Sequence, residues 1–201
     1  GYNPGFYSDV ATYSFYPTKN LGALGEGGAI ITNNRKIFKE VSGLRAWAPN
    51  KKNFFAIGYN YRMPEIIGAS LNEKIKFLRN DIKERIKIAN LYKKKLITKE
   101  FSDFNLKSKK HSYHLFAIRV KQRDKFREEL KINNIDSAVH YSYALPSLNI
   151  FSKYKKKFDS YKIAQKVSKE LVSLPIYPEL TKNEQLYVIK IVNKILSTRK
   201  K

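Results

Sequence analysis

The first part of the chain combines two strand-like runs with one helical period. Residues 11–16 alternate in polarity and are rich in aromatic side chains, and residues 28–32 are a short run with β-branched residues, so both predict strands. Asn34 can cap a helix that follows, because apolar residues then recur at steps of three and four. The apolar positions of this predicted helix are Ile37, Phe38, Val41 and Leu44.

A longer helical pattern follows from Pro64. Apolar residues recur there at steps of three, four or seven with charged residues between them, which predicts one long amphipathic helix or two helices joined end to end. Pro64 suits the first helical position. Because a helical stretch of about 30 residues often bridges two domains, we predict a boundary near Phe101, with one domain over residues 1–100 and a second over residues 101–201.

Strand and helix signals alternate in the second part. The pattern predicts strands at 113–120 and 135–141 and helices at 124–132 and 161–171, followed by an extended link at 174–180. Asn133 and Asn134 can supply the left-handed turn that ends the first of these helices. Thr181 and Glu184 form the capping-box pattern T-x-x-E ahead of a final helix. The second part is therefore predicted to be a small α/β unit.

Composition limits the setting of the protein. Apolar residues make up 42% of the chain, which is ordinary for a protein with a core, and there is no cysteine. Without cysteine there can be no disulfide or thiolate metal site, so a reducing cytoplasm is the simplest location. No apolar run approaches the roughly 20 residues that a membrane span needs. We predict a cytoplasmic protein that is not inserted in a membrane.

The net charge of +23 raises the question of nucleic acid, because basic patches displace counterions from phosphates. Only nine of the 40 basic residues are arginine, the residue that binds phosphate and guanine in a bidentate manner, and the lysines are scattered over every predicted helix. This distribution favours compositional drift over a nucleic-acid surface. A basic, non-catalytic binding module stays open as an alternative function.

One lysine stands apart in the stretch SFYPTKNLGALGEGG, which begins at Ser14. Lys19 lies between a predicted strand and a glycine-rich turn, where an amine can attack a carbonyl once it is deprotonated. The Ser14 hydroxyl and the backbone N–H groups of the turn suit a phosphate. Together they indicate a phosphate-bearing aldehyde, although on spacing alone a glycine-rich hairpin with one lysine is more often purely structural. No G-K-S or G-K-T of a nucleotide P-loop is present.

The histidines do not indicate a metal. His111 and His114 are three residues apart on a predicted strand, so their side chains are expected on opposite faces. We predict no metal site.

Five motifs in order carry a family resemblance. They are SFYPTKNLGALGEGGAIITNN, IGYNYRMPEIIGASL, YHLFAIRV, IDSAVHY and SLPIYPELT. In these segments the chain resembles the DegT/DnrJ/EryC1/StrS family of pyridoxal-phosphate-dependent sugar aminotransferases. The resemblance implies an α/β fold of the fold-type I class, with residues 1–100 as the end of the large α/β/α domain plus its connecting helix, and residues 101–201 as the small C-terminal α/β domain.

The resemblance also implies roles for individual residues. Lys19 becomes the lysine that attaches pyridoxal 5'-phosphate covalently and then moves the proton between substrate and cofactor carbons. Ser14 contacts the cofactor phosphate, and Asn60 contacts the phosphate of the cofactor bound by the other subunit. The active sites are therefore expected to be shared across a homodimer.

The substrate loop departs from the family pattern. Relatives have a pattern like H-Y-P-x-P-x-H in the sugar-nucleotide pocket, and His140 with Tyr141 begins the corresponding segment here. Ser142 and Ala144 replace the two prolines, and Pro146 stands in place of the second histidine. His140 and Tyr141 are kept as candidate substrate contacts.

The implied activity is transfer of an amino group, with glutamate as donor, to a keto group of a nucleotide-diphosphate sugar. The stretch KNLGALGEGG resembles relatives that act on dTDP-3-keto-6-deoxyhexoses more than relatives that act on UDP-4-keto sugars. Dehydratase relatives carry histidine in place of the lysine, so Lys19 argues against that alternative. No methionine precedes Met63, and the family's remaining cofactor residues are expected upstream of Gly1. We therefore expect a fragment that is not a competent enzyme alone.

Overall fold

The computed structural model describes residues 7–47, 57–98, 111–154 and 161–199. The chain divides into two compact units, Gly1–Asn80 and Asp81–Lys201. The predicted boundary near Phe101 lies outside the described residues, and the assignment of residues 1–100 and 101–201 to a large and a small domain stays a prediction. The division between the compact units falls earlier, because most of the helix that crosses it packs in the core of the second unit.

The first unit contains an antiparallel strand pair and two helices. The strands pair from Ala11 opposite Ile31 to Ser14 opposite Gly28. Asn34 caps the first helix, since its Oδ1 accepts the backbone N–H groups of Lys36 and Ile37, as the sequence predicted. The elements are β1 (Ala11–Ser14), β2 (Gly28–Ile31), α1 (Arg35–Arg45) and α2 (Glu65–Lys74).

The long helical pattern after Pro64 is two helices. Helix α2 is followed by a turn at residues 75–77 and then by α3 (Leu78–Lys95), which crosses into the second unit. Pro64 is not the first helical residue as predicted. Its ψ of 144° makes it the extended residue that precedes α2, because the proline ring restricts φ but not ψ.

The second unit contains a second antiparallel pair flanked by helices. Strand β3 pairs with β4 from Phe116 opposite Leu174 to Arg119 opposite Leu171. The capping box of Thr181 and Glu184 is present, with both reciprocal hydrogen bonds formed. The elements are β3 (Phe116–Arg119), α4 (Arg123–Ile132), the 3₁₀ helices Leu145–Ser147 and Asn149–Tyr154, α5 (Lys162–Glu170), β4 (Leu171–Leu174) and α6 (Lys182–Thr198).

Three predictions in the second unit are wrong in detail. Strand β3 is shorter than 113–120, because Tyr113 has a φ of 46° and cannot continue an extended strand. The predicted strand 135–141 is only an isolated bridge between Ala138 and Ser173. The predicted helix 161–171 ends at Glu170, and β4 follows at once. Pairing with β3 explains β4, since it buries Val172 completely.

A single hydrophobic cluster forms the core of the second unit. It draws on α3, β3, α4, β4 and α6. Tyr92 of α3 is fully buried there and donates its hydroxyl to the Pro175 carbonyl at 2.9 Å, and burial raises the pKa of this hydroxyl. No helix within the described part of the chain is both long enough and apolar enough to cross a bilayer. The core thus ties α3 to the strand pair.

Candidate active site around Lys19

Lys19 lies on the loop between β1 and β2, and backbone hydrogen bonds close the base of that loop. Phe15 N donates to Gly27 O at 2.8 Å, which continues the strand pairing by one step. Within the loop, Ala23 N donates to Phe15 O and Lys19 N donates to Tyr16 O, both at 2.8 Å. These bonds fix the backbone of Lys19 while its side chain is half-buried.

Apolar packing against α2 supports the loop from beneath. Ala23 is buried with Ile67 and Leu71 of α2 in a small cluster, and Phe15 and Leu21 pack against it. The sequence predicted α2 as part of an amphipathic helix, and the structure shows that its buried face holds the Lys19 loop. The lysine is therefore carried on a packed loop, which favours a defined position for its amine.

Gly22 is required by a close approach of two backbone segments. A Cβ at this position would lie 2.1 Å from the Pro17 carbonyl oxygen, far inside contact distance. The turn that presents Lys19 can close this tightly only with glycine at position 22.

We expect replacement of Gly22 by alanine to destabilise the whole protein by about 2 kcal/mol, because the added methyl group meets backbone that cannot rotate away. Gly68→Ala in α2 is the matched control. Its Cβ would meet Met63 Cε at 3.9 Å, an ordinary contact, and alanine favours the helix. Denaturant midpoints measure both. Equal midpoints for Gly22→Ala and the wild type would contradict a tight turn.

The polar groups of the loop fit a phosphate-bearing aldehyde. Ser14 is the last residue of β1 and is exposed. Its Oγ accepts a hydrogen bond from the Tyr16 N–H at 3.3 Å. Its hydroxyl proton donates to no group in the described part of the chain and is available to a ligand. The Lys19 ammonium has no hydrogen-bond or ion-pair partner within that same part of the chain. An uncommitted amine can form a covalent link to the aldehyde of pyridoxal 5'-phosphate, and an uncommitted hydroxyl on the same loop can donate to its phosphate.

Asn60 lies on a segment that is bonded to the end of α1. Tyr59 N donates to Leu44 O at 2.7 Å and Tyr61 N to Arg45 O at 2.9 Å. Asn60 itself is exposed and forms a bridge with Ala46. The segment is therefore anchored by its backbone, and its side chains are left for other contacts.

Arg62 braces the Asn60 side chain. Its Nε donates to Asn60 Oδ1 at 3.3 Å, and its guanidinium lies 4.5 Å from the centre of the Trp47 ring. With the amide oxygen engaged in this way, the Asn60 amide NH₂ is the end that can donate to an anion. The predicted contact of Asn60 with a partner subunit's cofactor stays a prediction.

His140 and Tyr141 lie in the second unit. His140 Nδ1 is 3.0 Å from Ser173 Oγ, and Ser173 is buried on β4. The Ser173 backbone pairs with Ala138 in both directions, so the bridge places the serine beside the histidine. This contact fixes the imidazole ring through Nδ1, whereas the Tyr141 side chain is 75% exposed. Their predicted substrate contacts stay predictions.

Comparison with known proteins decides the family. The family model of the DegT/DnrJ/EryC1/StrS aminotransferases matches residues 1–193. The chain belongs to this family. The resemblance inferred from the five motifs is confirmed.

Individual relatives agree with this family assignment. The chain is 36% identical over 198 residues to a dTDP-3-amino-3,6-dideoxy-alpha-D-galactopyranose transaminase of Aneurinibacillus thermoaerophilus, covering 96% of the chain and 53% of that protein. A pleiotropic regulatory protein of Geobacillus stearothermophilus is 34% identical over 187 residues, covering 90% and 50%. The chain spans about half the length of the curated relatives it matches.

The fold class is confirmed by solved structures. NtdA from Bacillus subtilis, crystallised with bound cofactor PMP, superposes with a TM-score of 0.84 at 24% identity, covering 98% of this chain and 48% of that one. The fold is the α/β fold of fold-type I transferases, and the family is pyridoxal-phosphate-dependent. Among the described residues of this aminotransferase family member, no group of three or more His, Asp or Glu side chains could hold a metal ion.

Some residues near the candidate site residues or lining a cavity were not found from the sequence. Ser173 follows His140 by 33 residues, and only the bridge between their segments brings them together. Arg123 and Arg127 line a cavity of the second unit. Arg123 lies just before the helix predicted at 124–132 and Arg127 lies on it, so the sequence signal was two arginines four residues apart in a chain with few arginines.

Proposed function

We propose that the whole protein is a pyridoxal-phosphate-dependent aminotransferase that acts on a nucleotide-diphosphate sugar. The observation that carries the proposal is Lys19, an uncommitted amine held on a packed loop directly after a strand. Family membership supports the same chemistry. Because the chain spans about half the length of its relatives, the activity is proposed for the whole protein of which this chain is a part.

Lys19, Ser14 and the backbone of the glycine turn have separate roles in this function. Lys19 binds the cofactor covalently and, once released, accepts and returns a proton at its Nζ. The Ser14 hydroxyl and the backbone N–H groups of the turn hold the cofactor phosphate. When bound, pyridoxal phosphate supplies the electron sink that makes the carbon-bound proton of the substrate acidic. The fixed backbone of the loop keeps the amine in reach of that carbon.

The substrates and the assembly are part of the proposal. A dTDP-3-keto-6-deoxyhexose is the proposed acceptor, supported by the name of the relative that is 36% identical, and glutamate is the proposed donor. His140 and Tyr141 are proposed to contact the sugar nucleotide. Asn60 is proposed to complete the site of a second subunit in a homodimer. The absence of cysteine supports a cytoplasmic location.

Borohydride reduction of the whole protein, followed by peptide mapping, tests the proposal. We expect a pyridoxyl adduct on the peptide that contains Lys19, because reduction makes the link between amine and cofactor permanent. The variant Lys36→Arg, which changes an exposed lysine of α1, is expected to keep the adduct. An adduct on another lysine, or none, would overturn the proposed site.

Added salt separates this function from a basic binding module. Nucleic-acid affinity falls steeply as salt is added, because the release of counterions from the phosphates then favours binding less. The adduct on Lys19 is covalent, so its yield is expected to stay the same.

Product analysis separates the function from that of a dehydratase. A dehydratase would release water from its sugar without consuming glutamate, so formation of an aminated sugar excludes it.

A further inference from the structure

A polar cavity of about 890 Å³ opens in the second unit. The start of α4, the end of α5 and the loop at 139–147 form its walls. Three cationic side chains line it, and one carboxylate is found among its described lining residues. The cations are Arg123, Arg127 and Lys169, and the carboxylate is Asp124.

Backbone carbonyls hold both guanidinium groups in place. Arg123 Nη1 donates to Ser168 O at 2.7 Å, and Arg127 Nη2 donates to Ser137 O at 3.1 Å. The Arg127 Nε also donates to Ser137 Oγ at 3.3 Å. Within the described part of the chain, Arg123 Nη2 and Arg127 Nη1 donate to no group. The two arginines are thus fixed before a ligand arrives, with donors left over.

The positive charge of the cavity is not neutralised. Carbonyl oxygens satisfy N–H donors but carry no net charge, and Asp124 offsets only one of the three cations. The Arg123 hydrogen bond lowers the pKa of Asp124, so this carboxylate is already ionised at neutral pH. Lys169 is exposed and has no partner among the residues that the structure describes. The side chains that line the cavity therefore carry an excess of two positive charges.

We propose that this cavity binds a diphosphate group, either inorganic or part of a nucleotide. A guanidinium group can donate two N–H groups to the oxygens of one phosphate, and Ser142 and Ser147, which also line the cavity, carry hydroxyl groups that are neutral donors. A volume of about 890 Å³ is in the range of small-molecule sites and is large enough for a nucleotide. The inference does not depend on the proposed aminotransferase function.

The loop wall connects the cavity to the candidate substrate residues. Val139 and Ser142 line the cavity and flank His140 and Tyr141 in the chain. A diphosphate bound here contacts the same loop that carries both predicted substrate contacts. The site can therefore serve the nucleotide end of the substrate or a separate anion.

Isothermal titration of the whole protein with pyrophosphate tests the site, in saturating pyridoxal phosphate so that the phosphate contacts near Lys19 are filled. Lys169→Met is expected to weaken binding roughly tenfold, because one of three cations is lost. Lys166→Met, on the same helix but outside the cavity, is the matched control and is expected to change it little. Arg127→Gln is a second variant, also expected to weaken binding roughly tenfold or more.

The outcomes are distinct. No pyrophosphate binding, or equal weakening by Lys169→Met and Lys166→Met, overturns the site. If dTDP binds more tightly than pyrophosphate and competes with the sugar nucleotide, the ligand is the nucleotide end of the substrate. If both bind alike without competition, the site takes a separate anion. A missing adduct on Lys19 would refute the enzyme proposal and leave these binding results unchanged.

Discussion

We expect transamination, the proposed activity of the whole protein, to fall by about a thousandfold or more when Lys19 is replaced by arginine. Arginine keeps the positive charge and the length of the side chain, but its guanidinium stays protonated and cannot attack a carbonyl or shuttle a proton at neutral pH. The loop that carries Lys19 is closed by its own backbone bonds and packed on α2, so the substitution leaves the fold in place. Initial rates of amino-sugar formation measure the effect.

Two further variants serve as a control and as a test of rescue. Lys36→Arg makes the same chemical change on the exposed surface of α1 and is expected to retain the wild-type rate. Lys19→Ala leaves space on the loop, so an added small alkylamine is expected to restore part of the activity. Retention of more than about a tenth of the rate by Lys19→Arg would show that another group performs the proton transfer.

The largest effect on stability is expected from Arg85 in α3. Arg85 is buried, and its Nη1 donates to Ile176 O at 2.7 Å and, at longer range, to the carbonyls of Tyr113 and His114. It thereby joins the segment before β3 to the segment after β4. Burial lowers the pKa of the Arg85 guanidinium, and Glu179 and Asp81 offset only part of this effect. The group is nevertheless charged at neutral pH, because a guanidinium is not deprotonated in proteins.

Arg85→Met is expected to lower the free energy of unfolding by about 3 kcal/mol, because buried carbonyls lose a charged donor and methionine offers none. The Arg85 Nε is buried and has no hydrogen-bond partner among the residues that the structure describes, so its removal offsets a small part of this cost. Hydrogen exchange of the peptide around Ile176, together with denaturant unfolding of the whole protein, measures the change. Exchange at this peptide is expected to accelerate more than exchange in the first unit.

Arg79→Met is the matched control, since Arg79 lies on the same helix and is exposed. Surface substitutions of this kind change stability by about 0.5 kcal/mol or less. Equal exchange rates in the two variants would mean that the Arg85 hydrogen bonds contribute nothing to the second unit.

Only some features of the candidate site could be predicted from patterns in the sequence. Lys19, Ser14 and the glycine turn lie together in sequence, so the loop could be predicted from one stretch of the chain. The contact of His140 with Ser173 could not, because the bridge that joins their segments pairs residues that are far apart. The same holds for the bracing of Asn60 by Arg62 over Trp47, which depends on where α1 ends.

Features that depend only on neighbouring residues could be predicted from the sequence. Asn34 and Thr181 cap helices through bonds that span two or three residues, Asn134 adopts its left-handed conformation at the end of α4, and the ordered motifs identify the family. Three features could be seen only in the tertiary structure: the formation of β4, the reduction of the predicted strand 135–141 to one bridge, and the hydrogen bonds of Arg85 to distant carbonyls. These depend on pairing and burial between distant segments, whose free energy outweighs local propensity and leaves no periodic signal in the chain.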